Sequence, residues 1–259
     1  KSIVTIIILF FSYQIIACSC ACSIQNPVEA YLIYPEVYIG KVEKVDKIEG
    51  FKQKIKIKVE KIYKGSPSEV VLVVKDVKYS DCSKPYFYKG DKWLFFTFKD
   101  KEGNQIINYC NPSKNFEPSR YVKRTSKKRT EKYRSDFKRY LKVIDFVSNS
   151  NILQDISSEK LYPISGGIIT YDKRNEFKLL QNKFENDFGI YLITFNINRS
   201  IKNIKIVQGL GEEVDSFIIK KAKESKNWRN FGDRNRDNSF NENQSKVLLF
   251  WKNGISYPL

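Results

Sequence analysis

Five cysteines and no histidine define the chemistry open to this 259-residue chain. Cys18, Cys20 and Cys22 are clustered, whereas Cys82 and Cys110 stand alone. Without histidine there is no ordinary general base at neutral pH, and the commonest zinc ligand is missing. Ser-His and Cys-His nucleophile pairs are excluded as well. Carboxylates and lysines remain, but no spacing points to a working carboxylate pair. The acidic run Glu212-Glu213-Val214-Asp215 reads as a helix start, where negative charge meets the positive end of the helix dipole. The expectation is a protein with no catalytic residues, no cofactor and no metal.

The N-terminal sequence decides how the cysteines are read. Lys1 precedes an apolar run from Ile3 to Phe11, continued by Tyr13 to Ala17. A basic start, an apolar stretch and a small-residue exit describe a signal peptide over residues 1–17. The run is short for a membrane-spanning helix, which needs about 20 residues. Export implies an oxidising compartment, and an odd cysteine count there leaves one thiol to account for. Ile15-Ile16-Ala17-Cys18 has the form of a lipobox. Lipidation at Cys18 would use the odd cysteine and leave four for two bridges. Ordinary cleavage after Ser19 is the second reading, and a buried thiol the third. The first places the protein in the cell envelope, as a periplasmic or outer-membrane lipoprotein. The second makes it secreted.

Next come the elements that would position these groups. With 41% hydrophobic residues the chain can bury real cores, so disorder is not expected. Val28 to Tyr31 reads as a short helix and Val37 to Val42 as a strand. Lys54 to Val59 alternates strictly, with Ile55, Ile57 and Val59 against Lys54, Lys56 and Lys58, as a half-buried strand does. Turns at Lys64–Pro67 and Lys89–Asp91 separate further strands at Val70–Val74 and Trp93–Phe98. A last short strand, Ile106–Tyr109, leads to Cys110. Several short strands with turns between them predict a small all-β barrel or sandwich.

The stretch Cys20-Ala21-Cys22, then Ala30-Tyr31, then Val37 to Val42, resembles the start of the tissue inhibitors of metalloproteinases and their bacterial netrin-like relatives. Tyr63-Lys64-Gly65, Cys82, Gly90 and an aromatic strand before Cys110 extend the likeness over about residues 20–115. The resemblance implies a five-stranded OB-type barrel with flanking helices, with Cys20 bridged to Cys82 and Cys22 to Cys110. Such bridges close loops of about 60 to 90 residues, each worth a few kcal/mol. It also implies a mode of inhibition in which Cys20, with Ala21 and Cys22 beside it, contacts a protease through a free N-terminal amine. Lipidation at Cys18 would remove that amine.

Arg120 to Lys142 holds eleven Lys or Arg and two acids. Tyr133, Phe137, Tyr140, Leu141, Ile144 and Val147 fall at helical spacing, and Ser126 is placed to cap. The expectation is an amphipathic helix packed on the barrel, its basic face solvated or resting on an anionic membrane surface. The first domain thus spans 18–147, and Ser148-Asn149-Ser150-Asn151 opens a linker over 148–160.

Residues 161–259 read as a separate α+β module. Its elements are a helix at Tyr171–Phe184, a hairpin of Gly189–Ile197 and Lys202–Val207, a helix at Val214–Ser225, and a final strand at Val247–Trp251. Gly166-Gly167, Leu192 to Ile197, Ile201 to Val207, Gly211, Val214-Asp215, Ala222 and Trp228 resemble the C-terminal domain of TonB-type proteins. The resemblance implies docking to envelope proteins by edge-strand addition, with Val247, Leu248, Leu249, Phe250 and Trp251 as the candidate edge. The two modules are expected to unfold independently.

A net charge of +17 suits nucleic acid, an anionic membrane or an acidic partner, and a Lys-, Ile- and Asn-rich composition is a further source of it. No RNP, zinc-finger or helix-turn-helix pattern supports nucleic acid. The reading is therefore a non-enzymatic, lipid-anchored envelope module whose partners are envelope proteins or metallopeptidases. A secreted metalloendopeptidase inhibitor is the alternative.

Overall fold

The computed structural model describes residues 26–49, 51–74, 86–108, 111–118, 126–150, 164–165, 179–225, 228–230 and 244–251. The first helix, α1 (Pro27–Ile33), begins at a capping box. The Asn26 side chain accepts from the backbone N–H groups of Val28 and Glu29, and Glu29 accepts from the Asn26 N–H. Proline at the first helical position is pre-set for that start.

Five strands then close a barrel: β1 (Glu36–Asp46), β2 (Phe51–Lys64), β3 (Val70–Val74), β4 (Lys92–Lys99) and β5 (Gln105–Ile107). The order is β1-β2-β3-β5-β4, and β4 pairs back onto β1, so no strand of the ring is an edge. A two-residue strand, β6 (Lys114–Asn115), adds to β4. This is consistent with an OB-type barrel. The last barrel strand stops at Ile107, short of the predicted Tyr109.

Gly40 shows why glycine stands in β1. A Cβ there would lie 2.4 Å from Ile57 Cγ2 and 3.2 Å from the Lys58 carbonyl, at a point where the β1–β2 register shifts.

The barrel interior holds Tyr38, Val42, Ile55, Ile57, Val71, Val73, Phe87, Trp93, Phe95 and Ile107. Tyr38 stacks on Phe95 at 5.2 Å, and Phe87 meets Trp93 at 4.4 Å. The unbroken run Trp93-Leu94-Phe95-Phe96 is buried throughout because both faces of β4 are covered. Trp93 and Phe95 point inward, while Leu94 and Phe96 pack on helices.

Those helices are α1 and α2 (Lys127–Asn149), the long basic segment. Ser126 caps α2 as expected, accepting from the Arg129 N–H at 3.2 Å. Phe137, Tyr140 and Ile144 face the barrel with Ala30 of α1 and Tyr34 at its C-terminal cap. The helix runs through Ser148 and Asn149, so the linker predicted from 148 begins two residues inside it.

The second sheet has the order β11-β8-β9, formed by β8 (Phe188–Phe195), β9 (Ile201–Gln208) and β11 (Ser245–Trp251). A backbone ladder also pairs β7 (Ile164–Ser165) with β10 (Arg229–Asn230). One face of the three-stranded sheet packs on α3 (Glu212–Glu224): Tyr191, Ile193, Phe195 and Phe250 meet Val214, Ile218, Ala222 and Trp228. The opposite face, Phe188, Ile190, Val207, Val247 and Trp251, packs on Val28 and Leu32 of α1 and Val143 and Val147 of α2.

The layers are therefore barrel, helix pair, sheet and helix. The helix pair is buried from both sides, so barrel and sheet share it as a common layer. The shared layer explains why β8 reads as a continuous apolar run rather than an alternating one.

The helix predicted over Tyr171–Phe184 does not reach Phe184. Residues 171–178 lie outside the described residues, and the chain from Gln181 to Lys183 forms a 3-10 turn. There the Glu185 N–H leaves the helical path to donate to the Leu210 carbonyl at 2.7 Å.

Candidate functional site

β11 and β9 are the outermost strands of the three-stranded sheet, and they differ in how far their outer backbone groups are used. The Phe195 N–H donates to the Gln244 carbonyl at 2.9 Å. Odd-numbered residues of β8 therefore face β11, and even-numbered ones face β9. By the same alternation Ser245, Val247, Leu249 and Trp251 turn their backbone groups outward. Leu192 lies opposite Lys205 and Thr194 opposite Asn203, so Ile204 and Ile206 of β9 turn outward.

The predicted edge residues are in place at the border of the sheet, but this border is fastened to the first half of the chain. The Asn26 amide donates to the Val247 carbonyl at 2.9 Å, so one side chain caps α1 and takes up an outward carbonyl of β11. Lys246 pairs with Glu29 at 2.9 Å. Val247, Phe250 and Trp251 are buried, and Leu248 and Leu249 half-buried. Trp251 stands 5.6 Å from the Phe188 ring, with the Arg139 guanidinium 6.0 Å from its centroid. These side chains hold the two halves together.

β9 is the more open border. Lys202, Asn203, Lys205 and Ile206 are exposed, Ile206 at 42%. Among the described residues no strand pairs with its outer side. Lysines on such a strand guard it against indiscriminate pairing. The sequence carries that signal in Lys202 and Lys205, but the more apolar β11 outweighs it in sequence.

An open depression lies at the end of β9, lined by Glu185, Asn186, Ile206, Gly209, Glu212 and Asp215. Its one half-buried acid, Asp215, is structurally engaged. Tyr191 donates its hydroxyl to Asp215 Oδ1, which also accepts from the Leu210 N–H at 2.8 Å. Burial first, and the Asp215 carboxylate second, push the Tyr191 hydroxyl far above its ordinary range. Gly209 fits because a Cβ there would lie 2.3 Å from Asp215 Oδ2. The group is a lock on the β9–α3 loop. Glu212, Glu213 and Asp215 occupy the first turn of α3, as expected from the dipole.

The basic face of α2 is solvent-exposed at Lys127, Lys128, Arg129, Lys132, Arg134, Lys138 and Lys142. Several of these charges are answered locally: Lys132 by Asp136, Arg134 by Glu117 at 2.7 Å, and Lys142 by Asp187. From the barrel, Lys61 reaches Asp145 at 2.6 Å. Lys64 donates to the Tyr31 and Leu32 carbonyls at 2.9 and 3.1 Å, capping the C-terminus of α1, and burial lowers its pKa.

Cys18, Cys20, Ala21, Cys22, Cys82 and Cys110 lie outside the described residues, and the expected bridges, lipidation and protease contact lie there with them. Among the described residues no three His, Cys, Asp or Glu side chains group as a metal site, and no helix is long and apolar enough to cross a membrane. No family model matches the chain, and no curated protein matches it.

Proposed function

We propose that this chain is a non-enzymatic, exported protein of the cell envelope, lipid-anchored at Cys18, that binds an extended segment of a partner protein along β9. What carries the reading is the asymmetry of the sheet. Asn26 and the Glu29–Lys246 pair fasten β11, while Ile204 and Ile206 turn their backbone groups away from the ladder on the other side. Strand addition uses such groups for affinity and alternate side chains for specificity. The edge-addition expectation is kept, but moved from the C-terminal strand to β9.

The test places a photo-crosslinking residue at Asn203 in the producing cell, with and without Ile206→Pro. Proline at 206 removes an outward N–H while leaving the β8 ladder bonds in place. Discrete envelope-protein adducts that vanish with Ile206→Pro support the reading. The same adducts in both, or none, would overturn it.

A further inference from the structure

We infer that the lysine row on the outside of β1 and β2, flanked by Lys92 of β4 and lying beyond the part of the barrel that the helices cover, is a docking surface for a bilayer rich in anionic phospholipid, an inference that rests on the envelope reading above. The observation is a register that sets like charges side by side. Lys41 on β1 lies directly opposite Lys58 on β2 and, on its other flank, opposite Lys92 on β4. Lys44 lies opposite Lys56, and Asp46 opposite Lys54. The intervening Val42, Ile55 and Ile57 point into the barrel, so the lysines share its outside.

Directly opposed residues on one face sit about 5 Å apart at Cβ, and like charges there are unfavourable. Three acids answer part of the array: Asp46 reaches Lys44 at 3.0 Å, Glu43 reaches Lys56 at 3.7 Å and Glu60 reaches Lys92 at 2.6 Å. Lys41, Lys54 and Lys58 are exposed and make no ion pair among the described residues. The folded barrel thus carries a self-repelling row that a negative surface would relieve.

Two features select a lipid surface over other polyanions. Every cation of the row is lysine, a hydrated point charge without the planar fork that reads phosphate or base edges, which suits a fluid field of headgroups. The adjoining turn adds interfacial side chains. Val42 donates its N–H to the Asp91 carbonyl and Gly90 donates to the Val42 carbonyl, both at 2.8 Å, so Gly90 and Asp91 extend the β1–β4 ladder into the turn closed by the Asp91 N–H on the Tyr88 carbonyl. Tyr86 and Tyr88 are 45% and 52% exposed, and tyrosine is favoured at headgroup level. The basic face of α2 differs: it mixes arginine with lysine, and Lys132, Arg134, Arg139 and Lys142 already pair with acids.

The experiment is co-sedimentation of the full chain with vesicles in which about one lipid in three is phosphatidylglycerol, against pure phosphatidylcholine, at about 0.1 M salt. An acyl anchor would favour both vesicles alike, so the ratio of the two partition coefficients reads surface charge. Failure here would leave the strand-addition reading untouched. At about fivefold per lysine, Lys41→Gln/Lys56→Gln/Lys58→Gln should lower that ratio on the order of 100-fold. The control Lys127→Gln/Lys128→Gln/Arg129→Gln should lower it less than about tenfold, each variant first checked for an unchanged melting point. An unchanged ratio in the first triple, or equal losses in both, would overturn the proposal. So would charge-dependent binding to a single-stranded oligonucleotide or acidic polysaccharide by a chain that ignores the anionic vesicles.

Discussion

Glu29 on the first helix and Lys246 on the last strand form a 2.9 Å ion pair with only 6% and 16% of their side chains exposed. The carboxylate that accepts from Lys246 also completes the capping box of α1. One acid therefore fixes the start of a helix and anchors the far end of the chain to it.

Breaking that pair from one side strands a mostly buried charge, which costs about 3 kcal/mol or more. Lys246→Ala should lower the unfolding free energy by that amount. Pairing Lys246→Met with Glu29→Gln should recover much of it, since two neutral groups leave no stranded charge. Urea midpoints of Lys246→Ala and of the double variant would check this.

The shared helical layer predicts that barrel and sheet unfold together. Ile190 is fully buried on the sheet face that meets α1 and α2. Ile190→Ala should cost about 2–5 kcal/mol. Fluorescence of Trp93 in the barrel and amide exchange in β8 should report the same shift, in one calorimetric transition. Two separated transitions, with only the sheet affected, would argue for autonomous modules.

Asp215→Ala would leave the Tyr191 hydroxyl and the Leu210 N–H without their acceptor, at about 1–3 kcal/mol. Asp215→Asn keeps an acceptor oxygen and should lose less. Tyr191→Phe should cost about 1 kcal/mol. Thermal melts of the three variants give the order directly.

Burial pushes the hydroxyls of Tyr34 and Tyr133 up to about 12, and raises those of Tyr38, Tyr140 and Tyr191 further. A tyrosine whose folded value lies above its unfolded value contributes stability fully below the unfolded pKa of about 10 and loses it as pH rises toward the folded value. Burial lowers Lys64 and Lys114, which act with the opposite sign and favour folding as pH climbs toward their unfolded value. Burial raises Tyr31 and Tyr63 as well, so with seven such tyrosines against two lysines among the described residues the urea midpoint should fall steeply between about pH 10 and 12. A midpoint that held or rose across that window would contradict the burial of these hydroxyls.

Strands that alternate were legible in the sequence. Lys54 to Val59 declares one wet face and one dry, and the structure places it so. Ser126 and the acids at 212–215 marked helix starts for local electrostatic reasons. Runs buried on both faces concealed their partners: Trp93–Phe96 and Phe188–Phe195 say that two layers are present but not which ones. The apolar residues of α2 looked like one stripe for one surface. Val143 and Val147 serve the sheet while Phe137, Tyr140 and Ile144 serve the barrel, and only tertiary contact divides them. The contact made at the β11 border was hidden for a related reason. The residue that makes it, Asn26, is remote in sequence and reads locally as a helix cap.

Native-state amide exchange along Ile201–Gln208 tests most directly whether β9 offers a free backbone edge. The N–H groups of Ile204 and Ile206 should exchange rapidly, while those of Asn203 and Lys205, bonded into the β8 ladder, should be protected. Equal protection at all four positions would mean that the edge is already covered, and binding by strand addition at β9 would be contradicted.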